Sequence, residues 1–516
     1  MTFTKLTMSS GPQTLRYLAS ALITSFILFF LARYLWRLIY QSPSSVPGPL
    51  LARVSRLWYL IQVRRGDWHR VIVKQHRKHG PIIRMAPNYY SIDDPAAIKI
   101  LYGTGTTFTK GPWYTVPGDP SLQIRDVFTD MDPKSHAAHR RQIAPLYSVT
   151  SLLKMESAVN ECIRELDARF AEILRSENII NLQWWLQCYA FDVIGYISFG
   201  RRFGFLDNGK DPLNLIAALH SGLKYVATVG VYPEWHSFLF RIMRYLGTNP
   251  ITKTMKFANE KIQERKKAIE TEGLDSHVDD FMTKVLKIHQ EDPISFPMEK
   301  VFSTCFQNIG AGSDTTSISL SGLMWYLITN PGPLEKLRAE IDERIPQGQL
   351  SDPPTFSETQ DMPYLQAAIQ EGLRMHPAAA FPLVRVVPKG GAMIAGKFFP
   401  EGASVAVNCW VAHYNKQVFG DDADQFRPER WLTEKEQVSL MKRYWIPFGH
   451  GAGTCLGKNI SLMEISKVVP YILHKYDFKL ADPSAELKCD YVSFVQPQNL
   501  NVRISPRSRG ESAIRA

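Results

Sequence analysis

The stretch Pro447-Phe448-Gly449-His450-Gly451-Ala452-Gly453-Thr454-Cys455-Leu456-Gly457-Lys458-Asn459-Ile460 sets four glycines around one cysteine and then runs into a helical pattern. Glycine allows close approach of the backbone, so amide N–H groups can crowd the Cys455 sulfur. The following helix adds its positive end, and both effects favour a thiolate. A buried free cysteine ahead of a helix is the plain alternative, and it serves for Cys162 or Cys305. It does not explain a cysteine inside a run holding Gly449, Gly451, Gly453 and Gly457.

The rest of the chain narrows the class. Its 516 residues are 45% hydrophobic, 11% aromatic and 21% charged, a folded globular composition that excludes disordered, collagen-like and coiled-coil proteins. Six scattered cysteines without a C-x-x-C pair exclude a disulfide scaffold, a zinc ribbon and a thioredoxin-like site. The glycine strings at 310–312 and 449–453 complete no G-x-G-x-x-G after a strand, so dinucleotide binding has no support.

The net charge of +11 is concentrated near the N-terminus. Residues 51–80 hold eight Lys/Arg against Asp67 alone, a net of +7. No finger, homeodomain or RNA-binding motif accompanies them, which argues against nucleic acid. Residues 17–32 (YLASALITSFILFFLA) are uncharged and bracketed by Arg16 and Arg33. As a helix they rise roughly 24 Å at about 1.5 Å per residue. That is slightly short of a ~27 Å endoplasmic-reticulum core, and snorkelling arginines cover the difference. No small-x-small cleavage site follows, so the run reads as an uncleaved signal-anchor, with the basic side cytosolic. Expected are an anchor over 1–40, a proline-rich hinge over 41–50 and a catalytic domain over 51–516. The location implied is the endoplasmic-reticulum membrane, single-pass.

Spacing predicts helices over 151–175, 250–272, 298–330 and 363–375, the third apolar nearly all round and therefore buried. Short strands are expected at 383–387, 393–395, 397–399 and 404–408 between Gly and Pro turns. The fold class is mainly α with small β-sheets, preceded by one transmembrane helix.

An open thiolate cradled by N–H groups suits an axial ligand of haem iron. The stretch resembles the cytochrome P450 haem loop, F-x-x-G-x-R-x-C-x-G, with Phe448, Gly451, Cys455 and Gly457 in register. Gly453 stands where the family has Arg or His, so one propionate anchor is absent. The likeness extends from the proline hinge to the C-terminus and implies the P450 fold and haem b. On this resemblance Cys455 is the iron ligand, with Phe448 and Gly457 flanking the haem. Ala311-Gly312-Ser313-Asp314-Thr315-Thr316 is similar to the family's [AG]-G-x-[DE]-T-T, which gives Asp314 and Thr315 the delivery of protons for oxygen activation. Without that context, Gly, Ser and Thr here are back-bonding residues of a core helix that permit a local bulge. Glu371 and Arg374 match E-x-x-R, a pair that is ordinarily a surface one. The resemblance makes it a buried structural lock, with 426–431 as partner. His136 and Arg140 fit W-x-x-x-R with His for Trp and, with Arg385, would bind the propionates. His139, Arg141 and Lys134 are expected to face solvent, where with Lys442, Arg443 and Lys458 they form a proximal basic patch.

The resemblance implies a membrane-anchored monooxygenase that inserts one atom of O₂ into a lipophilic small molecule. A separate NADPH–cytochrome P450 reductase, with cytochrome b5 as an auxiliary donor, would supply electrons, so NADPH acts only indirectly. The loop looks most like those of filamentous-fungal members, including a pisatin-demethylase-like group. That favours secondary metabolism of terpenoids, polyketides or alkaloids, with demethylating detoxification of plant defence compounds as the alternative. A haem carrier or sensor is the alternative of another class, and it has no use for Asp314-Thr315.

Overall fold

The computed structural model describes residues 11–40, 45–122, 125–175, 178–211, 214–272 and 280–508. Residues 1–10 of the expected anchor, 41–44 of the hinge and the tail beyond 508 lie outside them. The apolar run belongs to a helix spanning Gly11–Tyr40, and its Arg16–Arg33 segment is long and apolar enough to cross a membrane. None of that segment is buried against the rest of the chain. What remains of the hinge is tied down: Val46 is buried, and the Arg84 N–H donates to the Pro47 carbonyl at 2.8 Å.

Helices Met298–Thr329, Pro363–Met375 and Pro250–Glu272 form as the spacing predicts. Their ends follow ordinary stop signals, since His376-Pro377 cannot continue the second. The expected helix at 151–175 is instead two. A short one, Val149–Leu153, is capped by Ser148, and a second runs Glu156–Ile173. The break between them lets Leu152 and Met155 both reach the core.

Met298–Thr329 is the axis of the molecule. It packs against Leu182–Phe199, Pro250–Glu272, Pro363–Met375 and Lys458–Lys475. The bulge its composition permits is absent, and the α-helix is continuous. Its hydroxyls are absorbed instead by carbonyls three or four residues back, as in Ser313 to Ile309 (2.7 Å), Ser319 to Thr315 (2.9 Å) and Ser321 to Ser317 (2.7 Å).

The β region exceeds the expected strands. The largest sheet runs in the order Ile82–Ala86, Tyr89–Ile92, Ser404–Ala406, Arg385–Val386, Thr109–Lys110. Tyr89–Ile92 pairs parallel to Ser404–Ala406, and the other three pairings in the sheet are antiparallel. A second sheet joins Ile179–Asn181, Asn501–Pro506 and Tyr476–Leu480. Hairpins pair Ala392–Ile394 with Lys397–Phe399 and Lys488–Tyr491 with Val495–Gln498. The first sheet brings Lys110 and Arg385 side by side, both facing the cavity described next.

Candidate active site

A cavity of about 430 Å³ opens between the central helix and the cysteine loop, within the range of small-molecule sites. The loop is its floor. The Cys455 N–H donates to the Phe448 carbonyl at 2.8 Å, and Thr454 Oγ1 donates to the Gly451 carbonyl at 2.8 Å. Gly451 has φ +60°, and a Cβ there would run into the Tyr102 carbonyl oxygen, so no other residue fits. Cys455 is the one cysteine exposed among those described, and it opens onto this cavity. Recessed in that cavity, the thiol is poorly solvated, which pushes it up. The Gly457 N–H, the Arg140 guanidinium, and the Lys458 N–H and ammonium pull the other way without cancelling it. The helix end therefore assists a thiolate but does not create one unaided; coordination by a metal would complete the ionisation.

One end of the cavity is cationic. His136 and Arg140 project from helix Pro133–Ile143, whose N-cap Asp132 accepts the Ser135 N–H at 2.7 Å. Arg140 Nη2 donates to the Thr454 carbonyl at 2.6 Å. The Arg385 guanidinium lies 4.9 Å from the Tyr102 ring centroid and 5.7 Å from that of Tyr114. Its Nη2 would stand 3.2 Å from a Cβ at Gly453, so it occupies the space beside the position where the loop lacks its usual arginine. Burial first, then Lys110 and Arg140, lower His136 to about 4, which makes it a neutral donor. Lys110 was not singled out in the sequence. Its Nζ donates to the carbonyls of Val127, Phe128 and Asp130, each at 2.9 Å, and burial first, then Arg385, lowers it to about 8.

Thr315 lines the cavity roof, and Asp314 does not. The Thr315 hydroxyl donates to the Ala311 carbonyl at 2.6 Å, leaving its oxygen to accept from the cavity side. Asp314 is fully buried and meets Gln187 and His220 instead. Tyr114, Leu219, Phe306, Ala379 and Phe494 also line the cavity. Ile194 and Ile251 join them from helices that reach it only through tertiary packing.

Glu371 and Arg374 lie outside the cavity, both fully buried. Arg374 donates to Glu371 at 2.7 and 2.8 Å, Arg430 Nε at 2.9 Å and Trp431 Nε1 at 2.9 Å. The Trp431 ring is 6.0 Å from Trp445, which is 6.2 Å from Phe448 of the loop. The lock therefore reaches the cavity floor through a chain of edge-to-face aromatics.

One expectation fails. His139 is not solvent-facing but buried, its ring 5.9 Å from Phe296 and both nitrogens without a hydrogen-bond partner among the described residues. Burial first, then Lys300, lowers it to about 4. Residues 136, 139 and 140 share one helix face, so the turn that brings His136 to the cavity also turns His139 inward. Lys134, Arg141, Lys442 and Arg443 are exposed as expected.

A sulfur on the floor, apolar walls and cations at one end match a haem with two carboxylates. The comparisons agree. The family model described as cytochrome P450 matches residues 47–502. The chain is 36% identical over 479 residues to a pisatin demethylase of Fusarium vanettenii, covering 92% of each chain. It is 35% identical over 489 residues to the cytochrome P450 monooxygenase cicH of Emericella nidulans, covering 94% of this chain and 97% of the relative. To the cytochrome P450 monooxygenase pkfB of the same organism it is 32% identical over 489 residues, covering 92% and 94%. By loop, cavity and relatives alike, the chain belongs to the cytochrome P450 family and is an oxidoreductase of the monooxygenase type.

Proposed function

We propose that this monooxygenase oxidises a lipophilic small molecule of fungal secondary metabolism, with electrons from a separate NADPH–cytochrome P450 reductase. The observation that carries the reading is that Thr315 and Cys455 line one and the same mainly apolar cavity. Haem held by Cys455 supplies the activation of O₂. Arg140, Arg385 and neutral His136 would hold its carboxylates, the two arginines by charge-assisted hydrogen bonds, and Phe448 and Gly457 would border it. Thr315, its own hydrogen engaged by Ala311, accepts a hydrogen bond from a water and fixes it within the cavity. Asp314 resupplies the proton from the far side of the helix. Leu219, Ile194 and Phe381 keep bulk water from the substrate.

Exposed Lys134, Arg141, Lys442 and Arg443 offer the acidic reductase a basic face, which cytochrome b5 would share. The domain plan proposed is an anchor over 1–40, a hinge over 41–50 and a catalytic domain beyond. The endoplasmic-reticulum assignment is supported by the anchor and by a second apolar surface. Trp235, Phe238, Tyr245 and Leu246 are exposed, and Arg56 ties this region to the N-terminal basic segment through Glu234 at 2.8 Å. A second reading, demethylation of a plant defence compound, is favoured by the 36% identity to pisatin demethylase.

Thr315→Ala tests the proposal in microsomes, with a substrate found by spin-state shift across terpenoid, polyketide and indole-alkaloid panels. NADPH consumption should persist while hydrogen peroxide rises and product falls by about 10²-fold or more, the usual cost of a misplaced proton donor. Unchanged product per NADPH would refute the role of Thr315.

A further inference from the structure

Asp314 sits at the junction of three helices. Its Oδ1 accepts from Gln187 Nε2 of Leu182–Phe199 at 2.7 Å and lies 3.4 Å from His220 Nε2 of Leu215–Val229. Its Oδ2 is buried without a partner among the described residues. His220 Nε2 is also 3.2 Å from Gln187 Nε2. The Gln187 amide cannot simply turn over, because Gln183 Nε2 donates to its Oε1 at 3.0 Å. Both hydrogens of Gln187 Nε2 are thereby aimed at the Asp314–His220 pair.

Two nitrogens 3.2 Å apart can share only one hydrogen along their line. With His220 neutral at Nε2, one Gln187 hydrogen goes to that nitrogen and the other to Asp314. With His220 protonated there, its own N–H turns to Asp314 Oδ1 and confronts the Gln187 N–H. The trio has two arrangements, separated by a single proton.

We propose that His220 is the proton port of Asp314 and that Gln187 is the latch between its two states, an inference that rests on Asp314 serving as proton source in the reading above. In the loaded state the imidazolium donates to the carboxylate. Its Nε2–H bond then breaks and an O–H bond forms on Asp314, leaving both groups neutral. Gln187 takes over the vacated nitrogen with one hydrogen, and loss of the ionic attraction to His220 lets the protonated carboxyl turn its unpartnered oxygen towards Thr315. Solvent reloads His220, whose side chain is 29% exposed while that of Asp314 is sealed.

The surroundings favour loading. Burial opposes charge on His220, but Asp314 outweighs it, helped by Asp211 before its own helix and Asp490 on strand Lys488–Tyr491. The result lies above the ordinary imidazole value. The nearby cation on the same helix, Lys224, is drawn to Asp490 at 3.7 Å. Product per NADPH should therefore fall as pH rises through the His220 value and the load is lost.

The test uses the full chain with reductase in lipid nanodiscs, comparing wild type, His220→Gln, His220→Lys and Asp314→Asn. His220→Gln keeps a polar side chain without a titrating donor. It should lower product per NADPH roughly tenfold, less than a lost donor outright because water reaches Asp314 slowly by other routes, and it should remove the alkaline decline. His220→Lys should restore coupling and move the decline to higher pH. Histidine-selective NMR, which needs no turnover, should show the His220 ring titrating above the ordinary value in wild type and lower in Asp314→Asn. An impaired Asp314→Asn beside a His220→Gln of wild-type coupling and pH profile overturns the port alone. An Asp314→Asn that couples like wild type overturns the underlying relay. If His220→Gln does not fold, the Lys variant and the titration decide, and a His220 ring indifferent to Asp314→Asn overturns the proposal.

Discussion

Glu371→Gln changes one oxygen into an NH₂ group at a fully buried point where five donors converge. Oε1 accepts from Arg374 Nη2 (2.7 Å), Arg430 Nε (2.9 Å) and the Arg427 N–H (3.0 Å). Oε2 accepts from Arg374 Nε (2.8 Å) and Trp431 Nε1 (2.9 Å). Whichever way the new amide points, at least two donors meet another donor. Each orphaned donor costs about 1–3 kcal/mol. The negative charge that balances two buried guanidiniums is lost as well, although carbonyls of His413, Ala423 and Gln425 still hold Arg374. Breaking a buried pair typically costs about 3–5 kcal/mol, which lies within the roughly 2–6 kcal/mol that two orphaned donors imply. A folded chain has only about 5–15 kcal/mol in hand, so the variant should be deeply destabilised. Urea unfolding followed by tryptophan emission and by haem absorbance reads both halves of the argument. The two transitions should shift together, because Trp431 and Trp445 link the lock to Phe448. A variant within about 1 kcal/mol of wild type would refute the accounting. Haem release uncoupled from unfolding would refute the aromatic link.

Arg140→Ala should weaken haem retention about tenfold or more relative to Arg141→Ala, since the first loses a charge-assisted bond of roughly 1.5–3 kcal/mol and the second an exposed charge. Haem transfer to apomyoglobin measures it, and equal rates would remove Arg140 from the site. His139, lowered to about 4 from an ordinary 6.5, is neutral in the fold and binds its proton more readily once unfolded. Its contribution to stability is thus present above about pH 6.5 and is lost as pH falls towards 4. His139→Leu should therefore raise the melting temperature more near pH 5 than above neutrality; an equal shift at both would place the ring in solvent.

Much of the site was legible because its signals are local. Glycines at fixed offsets from Cys455, hydroxyls beside Asp314 and an apolar run between arginines declare themselves within a few residues. The lock was legible only through resemblance, and spacing alone could not say that Arg430 and Trp431 complete it. Strands Ile82–Ala86 and Tyr89–Ile92 pair with each other locally, but Tyr89–Ile92 is held on its other edge by Ser404–Ala406, more than three hundred residues away, and that support leaves no local signal. Lys110, Gln187 and His220 carry no local signature either, and each acquires its role from partners on other elements. His139 was the avoidable error, since its offset from His136 already placed both on one face.

Sulfur ligation by Cys455 is the claim on which cavity, cofactor and chemistry all depend. The Soret band of the dithionite-reduced, CO-bound protein reports the ligand directly, being strongly red-shifted for a thiolate and not for a neutral donor. Wild type and Cys409→Ser should show the red-shifted band, and Cys455→Ser should lose it while keeping most of its helical circular dichroism. A red-shifted band surviving in Cys455→Ser, or vanishing in Cys409→Ser, would contradict the assignment of the loop.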